Sequence, residues 1–317
     1  MRFNFKNMRS IFLILSCFAA TNLAIAQVTA YFNLVSKADS LYTRKEYKTA
    51  AFYYSSAFKA NGWKATSYDR YNAACSWALA SNRDSAFFQL ERIAQQADYS
   101  NYGHITTDTD LNSLHTDNRW QPLLELIKQN KDKAEANLDK PLAKLLDSIY
   151  TEDQKYRQMI NDIEKMHGWK SQEMKDLWKI ISRKDSGNLI VVTTILDKYG
   201  WLGAKKVGEQ GNSTLFLVIQ HSNQKTQEKY LPMMRDAVKN GQALGSALAL
   251  LEDRVALSQG KKQIYGSQIH RNEKTGKYFV APIEDEPNVN KRRASVGLGP
   301  LEVYAKHWDI DYRLPLK

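Results

Sequence analysis

The sequence predicts a mainly α protein, in which a short array of helical repeats precedes a mostly helical domain with a small β-hairpin near residues 261–283. Three observations predict this fold. Small and apolar residues recur every three or four positions along most of the chain. Two early segments repeat the same pattern, and two strand-like stretches late in the chain flank a turn. With 317 residues, the chain is long enough for two domains.

The first domain, residues 27–130, contains an internal repeat. Ala38 and Ala74 are separated by 36 residues, and so are Ala50 and Ala86. This spacing of small residues predicts pairs of helices packed face to face. The pattern over residues 30–97 resembles the tetratricopeptide repeat, whose usual period is about 34. The resemblance implies a protein or peptide partner on a concave face; alternatively, the short array docks onto the second domain.

The chain begins with the features of a secretory signal peptide, predicted over residues 1–26. Three basic residues precede an apolar run, residues 11–26, that ends in small side chains. The run is shorter than the roughly 20 apolar residues that span a bilayer. We therefore expect an exported protein, periplasmic or extracellular, without a transmembrane segment after cleavage. An uncleaved anchor and lipidation at Cys17 are the alternatives.

Charge and cysteine content narrow the possible partners. The formal net charge is +11, and most of the basic excess follows residue 140, which is typical of a solvated basic surface or, alternatively, of a second domain that binds an anionic ligand. No aromatic-and-basic stripe accompanies the charge, so the sequence carries no specific nucleic-acid signal. After cleavage Cys75 is the single cysteine, in an apolar helix where a buried structural thiol is expected. No metal site and no cofactor are predicted, since no zinc, calcium or dinucleotide motif occurs.

A charged segment, residues 131–144, is predicted to link the repeats to a second domain over residues 145–317. Helical spacing continues in that domain, with a break expected at Ser186 and Gly187. The stretch KYGWLGAKKVGEQGNST, residues 198–214, is interpreted as a loop. Its lysines among glycines can bind an anion or belong to an ordinary connection.

The stretch DRVALSQGKKQIYGSQ, residues 253–268, follows an apolar helix and is rich in polar groups. Asp253 and Arg254 lie on or beside apolar helix faces, so each requires a partner when buried. The residues after the helix have strand-like alternation, and Gly266 indicates a bulge or a close backbone approach.

These residues suggest a candidate site in the second domain. The candidate catalytic residues are His221, Asp253, Arg254 and Tyr265. In this hypothesis His221 is a general acid or base oriented by Asp253, and Arg254 holds a phosphate or carboxylate. The candidate ligand-binding residues are Trp201, Gln220, Gln263, Gln268 and Arg293. Alternatively, the same residues form a structural polar network.

The second domain resembles an uncharacterised bacterial domain family found in secreted proteins. The residues that carry the resemblance are Gly200-Trp201, Gln220-His221, Asp253-Arg254, Gln263-x-Tyr265-Gly266-x-Gln268, Arg293 and Gly297-Leu298-x-Pro300, within residues 145–308. The chain has Ser222 and Asn223 after the histidine, where related sequences are often acidic, which argues against a His/Asp metal site. The resemblance implies no particular activity.

Two hypotheses about function therefore remain open at this stage. The first is an exported module that binds a protein, a peptide or an envelope ligand through its repeats. The second is a hydrolase or transferase that acts on an anionic substrate at a cleft formed by His221, Asp253 and Arg254.

Overall fold

The computed structural model describes residues 27–315, and this part of the chain is mainly α with one small antiparallel sheet, as the sequence predicts. The expected signal peptide, residues 1–26 with Cys17, lies outside the described residues and stays a prediction. The described chain forms two compact units. The first contains residues 27–133 and 299–314, and the second contains residues 134–298.

The first unit is built entirely from helices and short turns. Its helices are residues 27–43 (α1), Tyr47–Ala60 (α2), Ser67–Leu79 (α3), Arg83–Gln96 (α4), Tyr102–Thr107 (α5), a 3-10 helix at Thr109–Leu114, and Trp120–Glu135 (α6), which reaches past the end of the unit. Asn and Thr side chains cap several of these helices; for example, the Thr66 hydroxyl accepts the Asp69 N–H at 3.0 Å.

The internal repeat forms the core of this unit. The equivalent positions are Ala38 and Ala74, Leu41 and Trp77, Ala50 and Ala86, Tyr54 and Leu90, and Ala57 and Ile93. All of these side chains are buried, so the two segments use the same register to pack their helices. Cys75 is also buried, as expected, and burial raises the pKa of its thiol. The first unit is thus a helical array with a repeated core pattern.

The second unit places five longer helices around an apolar core. Its first helices are Lys140–Arg157 (α7), Ile160–His167 (α8), Gln172–Tyr199 (α9), Ala204–Gln220 (α10), Gln224–Lys239 (α11) and Gly245–Ser258 (α12). Leu146, Val192, Leu215, Met234 and Leu251 come from five of these helices and share the main core. None of the helices in the described chain is both long enough and apolar enough for a membrane span.

The remaining elements of the chain are short. They are the strands Ile269–Arg271 (β1) and Tyr278–Val280 (β2), a 3-10 helix at Glu286–Asn288, and the helices Val289–Ser295 (α13) and Leu301–Lys306 (α14). β1 and β2 pair antiparallel with His270 opposite Phe279, which confirms the predicted hairpin. The last helix, α14, belongs to the first unit.

Several local structures differ from the sequence-based expectations. The charged segment, residues 131–144, which was expected to be a helix end or a linker, contains the end of α6 at Glu135 and the start of α7 at Lys140. Helix α9 also continues unbroken through Ser186 and Gly187. Apolar faces on both sides of that pair pack into the unit, so tertiary contacts outweigh the weak helix propensity of glycine.

The stretch expected to be a loop, residues 198–214, is helical from Ala204 onward. A kink at Gly208, with φ 76°, lets the chain continue into the next turns. Beyond the kink, Gly211 and Thr214 lie against α7, and the Thr214 hydroxyl donates to the Leu146 carbonyl at 3.2 Å. Packing against α7 therefore makes a helix from a sequence with loop-like composition.

Candidate functional site

The centre of the candidate site is a histidine held by a buried aspartate. His221 directly follows α10, and Asp153 lies on the buried face of α7. The distance from His221 Nδ1 to Asp153 Oδ1 is 3.0 Å. The Asp153 side chain is 1% exposed and that of His221 is 18% exposed. The pair therefore joins a fully buried anchor to a side chain that solvent can reach.

The charge state of Asp153 determines which atom of this pair carries the shared proton. Burial acts to raise the pKa of Asp153, but the hydrogen bond and charge of His221 and the charge of Arg157 outweigh it and lower the pKa below its ordinary value. An ionised carboxylate only accepts hydrogen bonds, so His221 Nδ1 carries the proton. The other ring nitrogen, Nε2, has no hydrogen-bond partner among residues 27–315. The Nε2 atom of His221 is thus the unpaired nitrogen of the ring in this part of the chain.

Arg157 joins this pair to a second carboxylate on α9. Its Nη2 atom donates to both oxygens of Asp185, at 2.9 and 2.8 Å, and its Nη1 atom lies 3.4 Å from Asp153 Oδ1. Asp153, Asp185 and His221 each have a possible ligand atom within 4.8 Å of the others. The Arg157 guanidinium carries one positive charge and contacts both carboxylates, so the group has the composition of an ion-pair network.

Arg254 on α12 reaches the same end of α10. Its Nη1 atom donates to the Gln220 carbonyl at 2.8 Å and its Nε atom to Gln268 Oε1 at 3.3 Å. Burial and, to a smaller extent, the charge of Arg157 lower the pKa of Arg254. An arginine nevertheless stays protonated in a protein. No carboxylate pairs with Arg254 in the described part of the chain, and the hydrogen bonds of its guanidinium go to the uncharged oxygens of Gln220 and Gln268.

Asp253, which was expected to orient His221, contacts a different part of the chain. Its side chain is fully buried, and its Oδ1 accepts the N–H groups of Ile264 and Tyr265 at 2.6 and 2.9 Å. Its Oδ2 accepts the Ser267 N–H at 2.9 Å. The pairing of His221 with Asp253 is therefore corrected to a pairing with Asp153, and Asp253 fastens residues 264–267.

The same contacts explain why β1 begins later than the composition indicates. The strand-like alternation extends over residues 261–268, but ladder pairing starts at Ile269. Three backbone N–H groups of this segment bind the Asp253 carboxylate and are not available to a neighbouring strand. Gly266 has φ 68°, which gives the turn that the segment needs to surround the carboxylate.

Tyr265 lies within this segment, Gln263 directly precedes it, and Arg293 contacts it from α13. Gln263 is fully buried, and its amide donates to the Ala281 carbonyl at 2.7 Å and accepts the Gln268 N–H at 2.8 Å. Arg293 is buried and donates to the Tyr265 carbonyl at 2.8 Å. Burial and the neighbouring charge of Glu252 raise the pKa of Tyr265. These contacts support the structural interpretation for this half of the expected cluster.

The other expected ligand-binding residues are divided between the core and the Arg254 contacts. Trp201 is buried in the main core of the second unit, and no hydrogen bond to its indole N–H occurs within the described residues. Gln220 is buried beside α12, and its Oε1 atom likewise has no partner in residues 27–315. Gln268 accepts from Arg254 and donates to the Leu250 carbonyl at 3.2 Å. The structure thus brings His221, Gln220, Arg254 and Gln268 to one end of α10.

Three residues of the site did not stand out in the sequence: Asp153, Arg157 and Asp185. A signal was nevertheless present for Asp153. It follows the buried Leu146 and Ile149 at helical spacing, so a carboxylate occupies a position that should face the core. Arg157 lies one turn further along α7, whereas nothing local distinguishes Asp185 from other charged residues of α9.

The fold and site define a mainly α domain with a histidine–aspartate pair next to an arginine that no carboxylate neutralises in the described chain. Residues 133–317 match a family of unknown function, DUF6624, and the chain belongs to this family. This match confirms the resemblance to a domain of unknown function. The comparisons found no match among curated proteins and none among solved structures.

Proposed function

We propose that the DUF6624 domain is an acid–base enzyme that acts on an anionic substrate as a hydrolase or transferase. One observation carries the proposal: buried Asp153 accepts a hydrogen bond from Nδ1 of the partly exposed His221 at 3.0 Å, and this leaves the Nε2 atom unpaired among the described residues. A histidine oriented by a carboxylate is a common general acid or base.

The residues present suggest how the reaction proceeds. His221 Nε2 removes a proton from water, or from an acceptor hydroxyl, as its oxygen attacks the substrate. The bond to the leaving group then breaks, and the same proton passes from His221 to that group. Arg254 binds the negative charge of the substrate, since its guanidinium has no carboxylate partner in the described chain. Asp153 stays ionised and supports the positive charge on the imidazole during transfer.

Chromogenic phosphate, sulfate and carboxylate-bearing esters provide the test, with the wild type and two histidine variants. His221→Gln should lower turnover by about 100-fold or more with an almost unchanged melting temperature. His270→Gln is the matched control, because His270 is an exposed residue of β1. Equal turnover by His221→Gln and the wild type, or no turnover of any ester by the wild type, would contradict the proposal.

A second function, binding of a protein or peptide partner, is proposed for the helical array, which we interpret as tetratricopeptide-like. Phe52 and Phe88 occupy equivalent repeat positions and are 55% and 54% exposed. Exposed aromatic side chains in a repeated position support a contact surface. The test is a pull-down with a purified partner. We expect the double variant Phe52→Ala/Phe88→Ala to lose the partner and Tyr68→Ala to retain it. Equal recovery of the partner by both variants contradicts the proposal.

Export is proposed from the sequence of residues 1–26, which has the basic and apolar regions of a signal peptide. N-terminal sequencing of protein recovered outside the cytoplasm is expected to begin at Gln27. A chain that keeps residues 1–26 in that fraction, or one that starts at Cys17, favours the anchored alternatives.

A further inference from the structure

We propose that a cleft between the start of α9 and the β-hairpin binds an acidic oligosaccharide. This surface, the tryptophan cleft, is lined by Trp169, Lys170, Lys175, Trp178, Arg271 and Lys274, among other residues. Its volume is about 890 Å³. That size lies within the usual range of roughly 300–1,000 Å³ for ligand sites. The proposal does not depend on the proposed enzyme function, because no residue of the His221 cluster lines this cleft.

Two exposed tryptophans form the apolar part of the cleft. Trp169 and Trp178 are 40% and 39% exposed, and their ring centroids lie 6.2 Å apart at an interplanar angle of 72°. Burying large aromatic surfaces normally stabilises a fold, so indoles left open in a concave site offer contact area to a ligand. An indole face is electron-rich and attracts the polarised C–H groups on the face of a sugar ring.

The position of the first tryptophan is fixed by an arginine that is already paired. Arg271 lies over the Trp169 ring, with its Cζ 5.1 Å from the ring centroid. The same guanidinium forms an ion pair with Glu164 at 2.7 Å, and its Nε donates to the Gly276 carbonyl at 3.0 Å. Arg271 therefore connects the hairpin turn to Trp169, and its charge is largely neutralised.

The lysines of the cleft supply the positive charge. The side chains of Lys170, Lys175 and Lys274 form no ion pair in the described part of the chain, and Glu273 is the single acidic residue among those that line the cleft there. The local charge is thus positive and complements a ligand with carboxylate or sulfate groups. Lysine suits such groups, since its ammonium is a flexible point charge without a required planar geometry.

The shape of the cleft favours a sugar polymer over a single-stranded nucleic acid and over an anionic membrane surface. Single-stranded nucleic acid stacks successive bases on aromatic platforms, and two indoles nearly perpendicular to each other do not offer consecutive parallel platforms. A bilayer presents a broad surface, whereas these tryptophans line a concave site. Short chains of sugar rings with pendant carboxylates combine C–H faces that an indole attracts with negative charge that complements the lysines.

Binding of tetragalacturonic acid to the full chain, followed by calorimetry and tryptophan fluorescence, tests the proposal. We expect binding that weakens as salt increases, and weaker binding of the neutral tetrasaccharide maltotetraose by about tenfold or more. Trp178→Ala should lower affinity about tenfold, and Lys175→Gln should lower it several-fold with a smaller salt dependence. The matched controls are Trp63→Ala and Lys239→Gln, which replace exposed residues outside the cleft.

Lys175→Gln removes only an exposed charge, so it keeps the test valid if Trp178→Ala fails to fold. Four results would overturn the proposal. They are no binding of tetragalacturonic acid at ~1 mM, equal binding of maltotetraose, unchanged affinity in both cleft variants, and tighter binding of an octathymidylate strand or of vesicles containing phosphatidylglycerol than of the acidic sugar.

Discussion

Two aspartates at core-facing helix positions of the second unit have different partners. Asp253 accepts three backbone N–H groups, whereas Asp153 accepts a hydrogen bond from the side chain of His221. A buried carboxylate is costly unless it is paired, and either set of partners satisfies this requirement. The two aspartates therefore have different roles. Asp253 holds a chain segment in place, and Asp153 positions the imidazole ring of His221.

Replacing Asp253 with alanine should destabilise the second unit strongly. The N–H groups of Ile264, Tyr265 and Ser267 would lose their acceptor, and each unsatisfied buried group costs about 1–3 kcal/mol. We expect the free energy of unfolding to fall by about 3 kcal/mol or more in urea titrations. The exposed control, Asp236→Ala, should change it by less than about 0.5 kcal/mol. Equal stability of the two variants would show that Asp253 does not fasten the segment.

At the scale of elements, α10 shows how packing determines local structure. Its sequence contains Gly208 and Gly211, yet it forms a helix from Ala204 to Gln220 that brings His221 to Asp153. The absence of a side chain at Gly211 allows close contact with α7, because an added Cβ would lie 3.3 Å from Leu146 Cδ1 and 3.1 Å from Val207 Cβ. The position of His221 therefore depends on a small residue ten positions earlier.

Two glycine substitutions should have opposite effects on stability. Gly211→Leu forces a bulky side chain between α10 and α7, and such overpacking costs about 1–3 kcal/mol. Gly187→Ala lies on the exposed side of α9 with open space around it, and should stabilise the helix by about 0.5–1 kcal/mol. Thermal unfolding of both variants measures the difference. A shift in the same direction for both would contradict this description of the α7–α10 contact.

At the scale of the whole molecule, the chain returns to its first unit at the end. Residues 299–314 group with residues 27–133, and Leu301 and Ala305 of α14 are fully buried. Within this unit an added Cβ at Gly299 would lie 3.1 Å from the Phe32 ring. The family match, residues 133–317, therefore includes a segment that packs with the helical array.

Removing residues 299–317 should consequently weaken the first unit. The truncated chain loses the buried side chains of α14, and exposed apolar surface costs about 25 cal/mol per Å². Hydrogen exchange followed by mass spectrometry should show faster exchange in α1 and α2, with protection of α9 and α10 retained. Loss of protection confined to α9 and α10 would contradict the division into these two units.

The repeat, the mainly α fold and the hairpin were predictable, because each leaves a periodic or turn-related pattern within a short window. The helical course of residues 204–214 was not, since it depends on a tertiary contact with α7. The partner of His221 was also not predictable. Asp153 precedes His221 by 68 residues. The aspartate closer to His221 in sequence, Asp253, binds backbone N–H groups of the loop that follows its own helix. Pairings of this kind become visible only when helix packing is known.

The central claim is that Asp153 holds the Nδ1 proton of His221 and leaves Nε2 free for chemistry. ¹⁵N NMR of histidine-labelled protein reports which ring nitrogen carries the proton. The spectra are recorded at a pH well above 6.5, which is about the ordinary pKa of an imidazole. The expected result is a proton on Nδ1 in the wild type and a clear shift of that signal in Asp153→Asn, with His270 as the internal reference. A proton on Nε2 in the wild type, or a His221 signal unaffected by Asp153→Asn, would contradict the claim.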